Sequence, residues 1–187
     1  MPKDTKHDGK QPRSGAAEKP RDKRLGELVA PEADAPTRLI QAGLEAFGLL
    51  AFEGASTREL ARLAGTNQAA IPYHFGGKEP LYMAVVRHIA ENLVAHAGPG
   101  LDRAQALLED PNATPAACVA EAQDFLERIA RAMLLTPQAR YWARIMLREQ
   151  MMPTQAFPII YENALGPALG VLRGLTTRAL GSPADDP

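Results

Sequence analysis

Cysteine occurs once in the 187 residues, as Cys118. A single thiol forms neither an intramolecular disulfide nor a thiolate metal cluster. Aromatic residues are sparse at 5%, with one tryptophan. No apolar run approaches the roughly 18 residues that a membrane span needs. The N-terminus is polar and lacks the apolar stretch of a signal peptide. Net charge is missing too: 21 Lys and Arg stand against 22 Asp and Glu, giving −1. That total excludes a basic or acidic coat over the whole chain. Together these absences predict a soluble protein of a reducing cytoplasm. What is present is ordinary: 45% hydrophobic and 23% charged residues, enough for a core at this length.

Residues 1–36 differ from the rest. Within 1–24, eight basic residues (Lys3, Lys6, Lys10, Arg13, Lys19, Arg21, Lys23, Arg24) outnumber four acids. Pro2, Pro12, Pro20, Pro31 and Pro36 punctuate the stretch, and large apolar residues are few. Such a segment buries too little surface to offset its ordering entropy. It is expected to be a disordered basic N-terminal tail, either a solubilising linker or an arm adding phosphate contacts.

From Thr37 the pattern is helical. Leu39, Ile40, Leu44 and Phe47 recur at helical spacing, with Arg38, Gln41 and Glu45 off that stripe. Sustained period-two alternation is absent, so the expected fold class is all-α. Glu53-Gly54 closes the first helix. Ser56 and Glu59 have capping-box spacing, which starts a helix over 57–64. Gly65 falls where a left-handed residue is needed. Asn67 suits the N-cap of a second short helix, 68–75. Pro80 sits in the first turn of the next helix, which begins at Lys78. It is expected to stop before Gly98-Pro99-Gly100. Further helices are expected over 101–109, 115–134, 138–151 and 155–180, jointed by Pro111, Pro115, Pro137 and Pro153.

Two short helices joined by a three-residue turn have helix-turn-helix spacing. Small Ala61 permits a close crossing, and Leu60, Ala64, Ile71 and Phe75 supply a shared core. In a duplex binder the second helix projects its N-terminal side chains into a groove one helix wide, while helix N-termini favour phosphate.

Residues 37–47 (TRLIQAGLEAF), 56–64 (STRELARLA), the turn 64–67 and 71–82 (IPYHFGGKEPLY) together resemble the DNA-binding domain of TetR-family transcriptional regulators. The likeness covers about 37–90. It implies an N-terminal three-helix DNA-binding domain over 37–84. A helical effector-binding and dimerisation domain would follow over 85–187. A narrower likeness, carried by 71–79, 148–154 and Ala156-Phe157, is to the CecR-type branch, which has its own C-terminal domain.

The resemblance gives candidate residues their roles. Asn67, Gln68, Ala69 and Ala70 occupy the exposed start of the recognition helix. The Gln68 amide can pair bidentately with adenine, and its other reading is a solvent-facing or phosphate contact. Ala69, Ala70 or the Thr66 methyl can pack on thymine methyls. Tyr73, His74 and Lys78 match positions that contact phosphates or sugars in the family. Arg38, Ser56 and Thr57 complete the expected DNA-binding set. Two departures stand out: Pro72 replaces a common aromatic, and His74 replaces a more common Tyr.

Farther along, Phe125, Met133, Trp142, Met146, Phe157 and Tyr161 sit at core spacing, and adaptable Met and aromatic walls also suit an effector pocket. Arg148 and Glu149 share a helix with that stripe and are candidates to orient an effector. His88, His96 and Glu91 fall short of a convincing metal site, so no metal or other cofactor is expected. Cys118 reads as buried filler or, less simply, a redox sensor. No nucleophile elbow, phosphate-cradling glycine loop or H-E-x-x-H motif is present, which argues against an enzyme.

The expected function is sequence-specific regulation of transcription, most simply repression released by an unidentified small-molecule effector. The expected partner is a pseudo-palindromic double-stranded operator bound by a homodimer, without membrane association. The alternative is a non-specific DNA-associated helical protein using its basic tail. Family members normally continue past the final helix seen here. A truncated chain or a weakened dimer is therefore expected.

Overall fold

The computed structural model describes residues 25–181, all helix, turn or coil. The proposed basic arm of residues 1–24 and the linker-like end at 182–187 lie outside the described residues.

Helix α1 spans Ala35–Gly54. Asp34 caps it, accepting the Thr37 N–H at 2.9 Å. Hydrogen bonding from Thr37 holds the Asp34 carboxyl below its ordinary range. Near its end, Ala51 takes φ 63° and ψ 175°, breaking the helical ladder. Helix α2 is Thr57–Leu63, and the Ser56 hydroxyl accepts the Glu59 N–H at 3.1 Å, as the capping-box spacing predicted. Gly65 takes φ 60°. Helix α3 is Ala70–Phe75, and Asn67 Oδ1 accepts the Ala70 N–H at 2.9 Å. Residues 68–69 form the turn leading into it.

Helix α4 runs unbroken over Lys78–Glu109. The expected stop before Gly98 and the separate helix over 101–109 are therefore corrected. Pro99 removes one N–H from the ladder, but Gly100 brings the backbone against α5. A Cβ at Gly100 would lie 2.9 Å from the Phe125 ring. Packing against that ring outweighs the local break signal. Helix α5 is Pro115–Leu135, capped by Thr114, and α6 is Ala139–Met151. Helix α7, Phe157–Ile160, a π-helical turn, Tyr161–Leu165, and α8, Gly166–Leu180, form one column over the expected 155–180.

The main core joins α1–α4 to α6 and α7 through Leu39, Phe47, Leu60, Ile71, Val85, Tyr141, Trp142 and Ile160. Where α4, α5 and α8 meet, Ala104, Cys118 and Leu175 form a smaller core, so Cys118 is buried filler.

The stretch after residue 24 is ordered rather than part of a disordered tail. Leu25, Leu28 and Val29 pack on the main core. Glu45, placed off the apolar stripe by sequence, is fully buried beneath this segment. Its carboxylate accepts the backbone N–H groups of Gly26 and Leu28. Burial pushes the Glu45 carboxyl above its ordinary range, and the N–H donors pull it back. Gln41 accepts the Ala30 N–H at 2.9 Å, and Glu27 pairs with Arg140 of α6.

Glu45→Ala leaves two N–H groups without their acceptor and is expected to cost on the order of 2–4 kcal/mol in urea unfolding. Amide exchange at Gly26 and Leu28 should accelerate well before that at Ile71.

His88 of α4 is half-buried, and burial holds its imidazole below the ordinary 6.5, against an opposing pull from Glu91. The unfolded chain therefore takes up this proton first. The stability concerned is complete above 6.5 and is lost as pH falls through the lowered value. His88→Gln should shrink the loss of stability seen in unfolding experiments between about pH 7 and pH 5.

Candidate nucleic-acid interface

The first three helices present one face built from the α2 N-terminus, the α2–α3 turn and the exposed side of α3. Asn67, Gln68 and Ala69 are exposed, and Thr57, Thr66 and Ala70 are partly so. The Gln68 Nε2 donates to Thr57 Oγ1 at 2.9 Å, tying the turn before α3 to the start of α2. This bond fixes the amide at the mouth of the turn. Thr66 Oγ1 donates to the Asn67 carbonyl at 3.3 Å. Tyr73 is 84% exposed, and its ring meets His74 edge-on at 4.8 Å. A shallow cleft runs between Arg38, Thr66, Asn67, Tyr73 and His74.

Two expected phosphate contacts are engaged within the protein. Arg38 Nε donates to the Ala64 carbonyl at 2.8 Å, and Nη1 donates to the Ala33 carbonyl. The side chain braces the α2–α3 turn against α1. Lys78 opens α4 with its ammonium 4.3 Å above the Phe52 ring centroid, a cation–π contact. Ser56 serves as the cap of α2.

The expected effector residues do not converge. Phe125 and Trp142 are buried in packing. Met133 and Met146 line a small pocket between α4, α5, α6 and the π-helical turn. Arg148 and Glu149 turn the other way, toward α1 and α4. Phe157 and Tyr161 stack at 5.7 Å, with Tyr161 exposed. The His88 and His96 rings are each engaged with Asn92, whose carbonyl lies 2.6 Å from His96 Nδ1. Among the described residues no group of three or more His, Cys, Asp or Glu side chains could hold a metal. No described helix is long and apolar enough to cross a membrane.

Comparison with known proteins settles the family. Residues 39–85 match the model for bacterial regulatory proteins of the tetR family. Residues 120–187 match that for the C-terminal domain of the HTH-type transcriptional dual regulator CecR. The CecR protein of Shigella flexneri is 34% identical over 155 residues, which cover 81% of this chain and 67% of that protein. The chain belongs to the TetR family of transcriptional regulators. Within that family it is related to CecR. The likeness to the regulator RutR of Escherichia coli K12 is confined to 53 residues, 28% of this chain and 25% of that protein, at 36% identity. A crystal structure from Mesorhizobium loti MAFF303099, attributed to the TetR family, shares the fold with a TM-score of 0.51 at 20% identity. It matches 79% of this chain and 68% of its own.

Membership makes the chain a DNA-binding regulator. Sequence reasoning gave Tyr82 and Thr154 no site role and put Glu45 off the apolar stripe. Tyr82 does pack, but its hydroxyl also donates to Glu149 Oε1 at 2.6 Å. Burial, then the Glu149 hydrogen bond, pushes the Tyr82 phenol well above its ordinary range. Thr154 binds the same carboxylate. The legible signal was a charged residue on an apolar-striped helix, as Glu149 is beside Ile145 and Met146.

Arg38→Ala should lower stability by about 1–3 kcal/mol through loss of charge-assisted bonds to two carbonyls. DNA affinity should then fall more on the specific duplex than on scrambled DNA, because the turn that presents Gln68 is loosened while phosphate contacts remain. Unfolding and fluorescence anisotropy on specific and scrambled duplexes check both parts.

Proposed function

We propose that this TetR-family protein is a sequence-specific repressor released from a pseudo-palindromic operator by a small-molecule effector. The observation that carries the reading is the exposed constellation of Gln68, Asn67 and Tyr73 on a capped turn, with Thr57 beside it. A homodimer presents two such faces to successive major grooves. On DNA, Gln68 exchanges Thr57 for a base edge, and Thr57 is freed for a phosphate. Tyr73, His74 and Lys78 contact the backbone. Ala69, Ala70 and the Thr66 methyl lie close enough to α3's start to meet thymine methyls.

The pocket lined by Leu93, Leu101, Ile129, Met133, Met146 and Leu165 is the best-supported effector site. Its charged rim residue, Arg128, is paired with Asp124 at 2.7 Å. Walls without an uncommitted charge favour a neutral, apolar ligand. The cavity is about 100 Å³, below the ~300 Å³ at which ligand pockets usually begin. An effector of ordinary size must therefore displace the flexible Met133 and Met146 side chains. Release then follows from higher ligand affinity for a state that fits DNA less well.

Selection from a random duplex library should return a pseudo-palindrome. Gel shifts with that duplex should exceed non-specific binding by a factor on the order of 10³ at moderate salt. Binding no stronger than to scrambled DNA overturns the reading. Gln68→Ala should cost about 1–3 kcal/mol on the selected sequence and relax preference at one position. Lys78→Ala should instead weaken all sequences and shallow the salt slope by about one unit.

A further inference from the structure

Helix α6 carries two consecutive charged residues that face the DNA-reading helices rather than solvent. Arg148 Nη1 donates to the Phe47 carbonyl at 2.6 Å, and Nη2 donates to the Gly48 carbonyl at 2.8 Å. In an unbroken helix those carbonyls take the N–H groups of residues 51 and 52. Ala51 is where α1 departs from helical geometry. Arg148 thus supplies donors at the break. Glu149 is 2% exposed. Its carboxylate accepts the Tyr82 hydroxyl of α4 at 2.6 Å, the Thr154 N–H at 3.0 Å and the Thr154 hydroxyl at 2.9 Å.

The contact continues toward DNA. The Tyr82 ring meets Phe47 edge-on at 5.1 Å and Phe52 at 5.3 Å. Phe52 in turn lies beneath the Lys78 ammonium at the start of α4. A stack of three rings therefore separates a buried carboxylate from a residue on the proposed phosphate-binding surface. Both ends of the stack are fixed by α6, through α1 on one side and α4 on the other.

From this we infer that Arg148 and Glu149 are positioning residues for operator recognition. They hold α1 and α4 at the angle that aligns α3 and Lys78 with one another. In this role they act through α1 and α4 rather than by contacting bases. Met146, which lines the apolar pocket, lies two residues before Arg148 on the same helix. A ligand that displaces Met146 pushes on the element that holds the reading helices. The inference rests on the operator-binding reading of the chain.

The test uses the 187-residue chain and the duplex recovered by selection. Tyr82→Phe keeps every ring contact and removes only the hydroxyl. Arg148→Met keeps the apolar stem and removes both donors, and Arg148→Lys restores a donor. For Tyr82→Phe and Arg148→Met, operator affinity should fall about tenfold, within the usual range of coupling between sites. Affinity for scrambled DNA should stay within about twofold of the unmodified chain, because phosphate contacts are retained. Arg148→Lys should recover part of the loss. Both affinities are normalised to the folded fraction from circular dichroism. Should Arg148→Met fail to fold, Tyr82→Phe carries the test alone. An unchanged operator-to-scrambled ratio in the folded variants overturns the positioning role and leaves the regulator reading intact. An unmodified chain that selects no sequence overturns both.

Discussion

The close approach of α6 to α1 is the constraint on which the remaining arrangement depends. It occurs where α1 has no side chain: a Cβ at Gly48 would lie 2.9 Å from the Tyr141 Cβ. With that gap closed, Tyr141, Trp142 and Ile145 are excluded from water against the reading helices. Arg148, two turns beyond Tyr141, then comes within reach of the α1 carbonyls. Widening the helix pair by one methyl group would draw the Arg148 guanidinium away from its two carbonyls. A buried charge that loses its partner costs several kcal/mol. The polar clamp and the apolar contact are therefore mutually dependent.

Local signals were the most legible in the sequence. Ser56 and Gly65 act through backbone geometry within three residues as their chemistry predicts, and Asn67 takes the Ala70 N–H although α3 opens at Ala70 rather than at 68. The helix-turn-helix followed from these signals, and its family likeness extended to the residues on its face. Tertiary compensation was not legible. Gly98-Pro99-Gly100 carries every local sign of a helix end, yet the Phe125 ring against Gly100 keeps α4 continuous. Arg38 and Lys78 were read as phosphate contacts from position alone. Their internal partners, the Ala64 carbonyl and the Phe52 ring, are 26 residues away in sequence in each case. Periodicity cannot reveal such partners. Glu45 fell on the polar side of α1 by spacing, and only the folding of residues 25–34 over it made it a buried anchor.

The two buried acids are satisfied in related ways. Glu45 collects N–H groups from a turn-rich segment, and Glu149 collects an N–H and two hydroxyls. Each carboxylate ties irregular chain to a helix that could not otherwise hold it. The near-zero net charge of the sequence hides this division of labour. Acids are used in internal ties, while the proposed DNA-reading face offers a few placed donors and helix starts rather than bulk basicity.

Trp142 brings the same geography into view from another direction. It is the one tryptophan of the chain. It lies 1% exposed on α6, edge-on to His96 at 6.1 Å. Among the described residues its indole N–H meets no hydrogen-bond acceptor. The neighbouring turns of α6 carry Met146 toward the apolar pocket and Arg148 toward α1. The one tryptophan fluorophore thus sits on the helix that carries both the pocket-lining Met146 and the Arg148 that reaches α1. Because the indole is buried against the His96 ring, a small shift of α6 alters its surroundings. The molecule carries an internal optical gauge of its own helix movement, with no label attached.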